Sequence, residues 1–188
     1  YTVTSDNGVG VGTFVAGDGN VVEVTTKDAV EGDIAGVSHL GFGDFNTISI
    51  DTEKAVTAYS GFGVGGLHIG DNNDVDVTTK EVVTGDLGGI AFALLGSDNT
   101  LDIEAQKAVT SGSGVGITGA AVGASNNQVT ITTSDEAPVT GGVGGIAGII
   151  GGADSTLTIT AKSTVKTDTG AAIGAFAAGD RSEVAITA

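Results

Sequence analysis

The residues best equipped for chemistry are carboxylates at near-constant intervals. Asp18, Asp44, Asp71, Asp98, Asp154 and Asp180 recur in turns rich in Gly, Asp and Asn. Carboxylates stacked at strand spacing repel unless screened, and calcium accepts carboxylate and carbonyl oxygens at such corners. Calcium is therefore one expectation and solvated turn aspartates the other; the G-G-x-G-x-D-x-U-x run of calcium-loaded solenoids is absent. A second set, Glu23, Asp51, Asp76, Asp102 and Glu104, occupies alternate positions of short segments with apolar residues between. Paired carboxylates on one face can act as acid and base in polysaccharide cleavage. Such sites also hold the sugar with aromatic and basic groups, whereas this pattern offers Thr25, Ser49 and Thr78. Threonines at equivalent later positions (Thr130, Thr132, Thr158, Thr160, Thr187) suggest an ice-binding hydroxyl ladder, interrupted by acids earlier in the chain. His39 and His68 have no third ligand at metal spacing and read as surface or packing residues. Runs such as Gly8-Val-Gly-Val-Gly12 lack the downstream Lys-Ser/Thr of a phosphate cradle. The expectation is a chain with no catalytic, cofactor-binding or metal-ligating residue.

The spacing of these residues comes from an internal repeat. The pattern N-x-V-x-V runs through Asn20–Val24, Asn46–Ile50, Asn73–Val77, Asn99–Ile103 and Asn127–Ile131, and returns with serine at Ser155–Ile159 and Ser182–Ile186. Its steps are 26–28 residues. Each unit then carries an apolar anchor (Val30, Val56, Val83, Val109, Val165). In the fifth copy the anchor is Val139, displaced by two residues beside Pro138. A Gly/Ala/Val segment follows, as in Gly88–Leu95, and a Gly/Asp/Asn turn closes the unit. Gly, Asp and Asn supply the positive φ angles of sharp corners.

Short strands at a near-constant period predict an all-β fold, a parallel β-solenoid of about seven coils of 26–28 residues. At about 4.8 Å per strand the coils make a rod roughly 30–35 Å tall. Residues 1–188 read as one repeat domain, and the start at Tyr1 suggests a fragment of a longer chain. Val24-Thr-Thr-Lys27 matches Val77-Thr-Thr-Lys80, and Lys54-Ala-Val-Thr57 matches Lys107-Ala-Val-Thr110, so the larger unit is a 53-residue double coil. Stacked units predict an asparagine ladder at one corner. They also predict charges alternating down two columns, Lys27, Glu53, Lys80, Gln106, Glu136, Lys162 and Asp28, Lys54, Glu81, Lys107, which would set register more than stability. The rival is an antiparallel meander of hairpins, beginning around Asp18-Gly19.

Composition narrows the function. The net charge is −16 with 7 Lys and Arg in all, so nucleic acid and anionic membranes are excluded as partners. The chain has no cysteine, hence no disulfide and no thiolate metal site. No apolar stretch is long enough to span a bilayer as a helix, so membrane insertion is not expected. The Gly/Ala/Val segment is apolar at both parities: Val11 and Val15 against Phe14; Ile90, Phe92 and Leu94 against Ala91, Ala93 and Leu95. A strand with one wet face should alternate, so this face predicts self-association or contact with a neighbouring solenoid.

Runs such as Gly114-Val-Gly-Ile-Thr-Gly-Ala-Ala-Val-Gly-Ala-Ser-Asn-Asn127 followed by Gln-Val-Thr-Ile131 resemble repeats of the filamentous-haemagglutinin and leukotoxin-type filamentous adhesins of bacteria, along essentially the whole chain. The resemblance implies a right-handed solenoid stalk, secretion, display on the bacterial cell surface, and no catalytic residues. The functional expectation is a non-catalytic structural or adhesive stalk, open to a host-cell or glycan ligand. The alternatives are a self-assembling extracellular filament, favoured by ends without a polar cap, a polysaccharide-acting enzyme, and an ice-binding protein.

Overall fold

A computed structural model describes all residues from Tyr1 to Ala188. It contains 21 strands and no helix. The strands form three seven-stranded sheets, and every pairing is parallel. Each coil gives one strand to each sheet in the same order, so the chain is a seven-turn β-solenoid. The antiparallel meander is thereby excluded. Sheet 1 holds the short anchor strands, from Thr2–Ser5 through Val83–Gly85 to Val165–Thr167. Sheet 2 holds the Gly/Ala/Val strands, from Val9–Ala16 through Gly88–Leu95 to Ile173–Ala178. Sheet 3 holds the N-x-V-x-V strands, from Val21–Thr26 through Thr100–Ala105 to Glu183–Thr187.

In sheets 1 and 3 the apolar parity of the strands points inward and the polar parity outward, whereas the sheet 2 strands are largely apolar on both faces. Val30, Val56, Val83, Val109, Val139 and Val165 stack in one column of sheet 1. The predicted two-residue displacement at Val139 is thus real. It is absorbed by a turn in which Ala137 N–H donates to the Ser134 carbonyl (3.1 Å) and Ala137 is wholly buried. Each anchor valine presses on the glycine that opens a sheet 2 strand. A Cβ at Gly36, Gly89 or Gly145 would lie 2.3, 2.3 or 2.2 Å from the Cγ1 of Val56, Val109 or Val165. The corner between sheets 1 and 2 closes only because these positions have no side chain.

The corner between sheets 2 and 3 uses a left-handed residue in every coil. Gly19, Phe45, Asn72, Asp98, Asn126, Asp154 and Arg181 all have φ between 53° and 67°. Asn and Asp tolerate this region through local hydrogen bonds, but Phe45 and Arg181 have no such help. The surrounding coils hold them there. Inside, 28 buried residues form a single apolar cluster along the rod.

Candidate functional site

The corner between sheets 2 and 3 concentrates the polar residues that the repeat singles out. Asn46, Asn73, Asn99 and Asn127 are buried there, each no more than 2% exposed. Their side chains bond mainly to backbone. Asn46 Oδ1 accepts from Asn20 N–H (2.9 Å), Asn73 Oδ1 from Asn46 N–H (2.9 Å), and Asn99 Oδ1 from Asn73 N–H (2.8 Å). Asn127 Oδ1 accepts from Asn99 N–H, and Ser155 Oγ continues the ladder to Asn127 N–H, both at 3.1 Å. The expected side-chain-to-side-chain bonds join Asn20 to Asn46 (3.0 Å) and Asn46 to Asn73 (3.2 Å).

A second ladder runs the opposite way on the same corner. Asp18 Oδ1 accepts from Asp44 N–H (2.9 Å), Asp44 Oδ1 from Asp71 N–H (2.8 Å), and Asp71 Oδ1 from Ser97 N–H (2.7 Å). These aspartates are therefore coil-to-coil ties rather than freely solvated groups. The six turn aspartates also do not share one column. Asp98 and Asp154 occupy the left-handed position, aligned with Phe45 and Asn72, where the backbone N–H of each residue bonds to the next coil. No group of three or more His, Cys, Asp or Glu stands in metal-holding geometry.

The outward carboxylates of sheet 3 do come together. Glu23, Ser49, Asp76 and Asp102 lie in one column, and Thr25, Asp51, Thr78 and Glu104 in the next. Asp76, Thr78, Asp102, Glu104, Thr130 and Thr132 line a shallow depression of about 400 Å³ without an aromatic or basic side chain. Burial, reinforced by Asp102, Asp74 and Glu104, raises the Asp76 pKa above the ordinary carboxylate value. Above them the threonines continue the same columns: Thr130 with Thr158, and Thr132 with Thr160 and Thr187.

The charge ladder differs from its expectation. Lys80 Nζ reaches Asp51 Oδ2 at 2.5 Å, on the face of sheet 3, instead of Glu53. Lys107 pairs with Glu136 across the two columns. Lys27 and Lys54 make no ion pair, and Asp28 meets the N-terminal ammonium instead (3.4 Å). For Glu136 the cause is the displaced coil: Ser134 N–H bonds to the Ala105 carbonyl, so Ser134 stands beside Gln106 and Glu136 falls in the extra turn. Long exposed side chains then choose the nearest carboxylate. The two backbone-tied ladders, not the charges, hold adjoining coils at a fixed offset.

Of the two readings of the histidines, surface or packing, the structure selects packing. His39 and His68 are 2% and 1% exposed, inside the rod. Their rings stack, with centroids 5.5 Å apart and planes 4° apart, and His39 Nε2 lies 3.2 Å from His68 Nδ1. Thr13 Oγ1 bonds to His39 Nδ1 (2.9 Å), and Asn46 Nδ2 and the Gly43 carbonyl approach His68 Nε2 (both 3.3 Å). Burial, with His68 adding repulsion, lowers the His39 pKa to about 4; burial lowers that of His68 too. Parity held the signal: His39 lies two residues after inward Val37, and His68 four after inward Val64. Searches against family models, curated proteins and solved structures find no match to this chain.

Proposed function

We propose that this chain is a segment of an extracellular, non-catalytic β-solenoid stalk of the adhesin type, displayed on a bacterial cell surface. The observation that carries the reading is the continuous register of all three sheets through seven coils, reinforced by two opposed side-chain ladders at one corner. A load along the rod is shared by three parallel strand pairings at every step, with the ladders adding to them at one corner. In this reading the hydroxyl and carboxylate face of sheet 3 is the surface open to a host-cell or glycan ligand. Electron microscopy of the purified chain and antibody labelling of intact source cells test it. Dispersed rods and surface labelling are expected. Labelling only after lysis would overturn the display, and fibres would favour the self-assembling filament.

The raised pKa of Asp76 beside Asp102 supports a second reading, a polysaccharide-acting surface. Glycan degradation by the chain, lost in Asp76→Asn and Asp102→Asn, would select it over the stalk.

A further inference from the structure

The outer face of sheet 2 is the one long face of the rod without charge. None of its seven strands contains Asp, Glu, Lys or Arg, although the chain has 23 acids and 7 Lys and Arg. Most of its outward side chains fall into three columns, with Phe62, 40% exposed, standing beyond the third and closing its outer edge. The middle column runs Phe14, Leu40, Leu67, Ala93, Ala120, Ile149 and Phe176. Two residues further along each strand, Phe42, Ile69, Leu95 and Val122 form a ridge, each 37–42% exposed. Two residues before the middle column, Ser38, Gly65, Ala91 and Thr118 form a trough. These four line an apolar depression of about 540 Å³.

We propose that two copies of this chain pair side by side, parallel, through this face. Each copy carries a net charge of −16, so like copies repel over most of their surface. Sheet 2 is the side on which they can meet with their carboxylates turned away. Eight-residue strands stacked seven high measure about 26 by 33 Å. That is about 850 Å², close to the ~800 Å² per partner of a standard stable interface. Shape selects the orientation. A two-fold axis along the middle column, parallel to the rod, sets the ridge of each copy opposite the trough of the other. Phe42 then faces Ser38, Ile69 faces Gly65, Leu95 faces Ala91 and Val122 faces Thr118, coil by coil. An axis across the rod would make the copies antiparallel and set ridge against ridge. Only a partner with the same strand spacing matches at every coil, and a second copy has it. The proposal goes beyond the stalk reading and does not depend on it.

Sedimentation equilibrium of the full chain tests the pairing. A dimer is expected. Leu95→Glu or Ala91→Arg should raise its dissociation constant at least about a hundredfold, because an isologous interface buries each new charge twice. Both side chains point outward, so circular dichroism and melting should stay as in the parent; Thr84→Arg, outward on sheet 1, should leave the dimer intact. Orientation is read by disulfide formation, since the chain has no cysteine of its own. Leu40→Cys should cross-link to itself. Cross-linking only in a mixture of Leu40→Cys and Ile149→Cys would show antiparallel copies and overturn the ridge-in-trough packing. A monomer at about 0.1 mM, where even a ~10 μM complex would be mostly dimeric, would overturn the pairing itself.

Discussion

The lower three coils and the coils above them share one backbone but fill it differently. In sheet 2 the lower interior holds Thr13, His39 and His68, where the upper interior holds Phe92, Leu94, Ile117, Ile146 and Ile150. At the end of the sheet 3 strands, Thr26, Thr52 and Thr79 are buried in the lower coils, and Ala105 and Ala161 occur in that column above. The buried side-chain atoms without a hydrogen-bond partner fall in the lower part alone: Thr26, Thr52 and Thr79 Oγ1, Asp51 Oδ1 and Asn73 Nδ2. Each such group costs about 1–3 kcal/mol of lost hydration. A solenoid interior therefore tolerates polar contents where stacking supplies ladders, but gives up stability for them. Size is balanced between neighbouring coils. Gly41 makes room for His68 and Gly66 for Phe92, with hypothetical Cβ atoms 2.0 and 2.4 Å from those rings.

The largest effect expected from testing this contrast is in the upper interior. Ile103 is 1% exposed, and Ile103→Ala should cost about 2–5 kcal/mol in urea unfolding. A loss under about 1 kcal/mol would mean that the upper coils are not a tightly packed core.

Acid should act on the lower coils. The folded pKa of His39 is about 4, below its unfolded value near 6.5, so the unfolded chain binds more protons as pH falls. Stability contributed by the neutral histidine is intact above about pH 6.5 and lost as pH drops toward 4. The loss from His39 should be about 1–3 kcal/mol, allowing for solvent screening. The groups that meet the imidazoles are Thr13, Asn46, Asn73, Leu94 and the Gly43 carbonyl, with no carboxylate or ammonium among them to compensate. Hydrogen exchange at pH 7 and pH 4.5 should show protection falling first in residues 1–80, and His39→Leu should flatten the dependence. Equal loss along the rod would remove the distinction between the two regions.

Asn73→Ala strips the buried Asn46 N–H of its acceptor and should cost about 1–3 kcal/mol. Thr79→Val should instead stabilise by up to about 1 kcal/mol, since it replaces a buried hydroxyl without a partner by a methyl. Thr133→Val, in the same column above, should not, because Thr133 Oγ1 accepts from Lys162 N–H (3.3 Å). The smallest effect belongs to the exposed pair: Lys80→Met should leave the melting temperature essentially unchanged.

Most of the architecture was legible because one constraint repeats. The N-x-V-x-V strand, the valine anchor and the turn glycines each recur at one coil length, and stacking brings like over like. The displaced Val139 and the asparagine corner could be read for the same reason. The charge columns could not. Their spacing in sequence placed Glu136 beside Gln106, while the turn at Ser134–Ala137 moves it aside. The carboxylates of sheet 3 were correctly set outward by alternation, yet alternation says nothing of what depression they line.

The sequence by itself determined the coil length, the inward and outward parity of each strand, and the absence of charge from the sheet 2 strands, because these are periodicities along the chain. Only the folded rod decided that two histidines 29 residues apart share a bond, that Asp18, Asp44 and Asp71 each cap the N–H of the coil above, and that a ridge and a trough of matching height flank one apolar column. Those depend on the few ångströms of lateral offset between stacked coils, which backbone hydrogen bonding fixes and a list of residues does not contain.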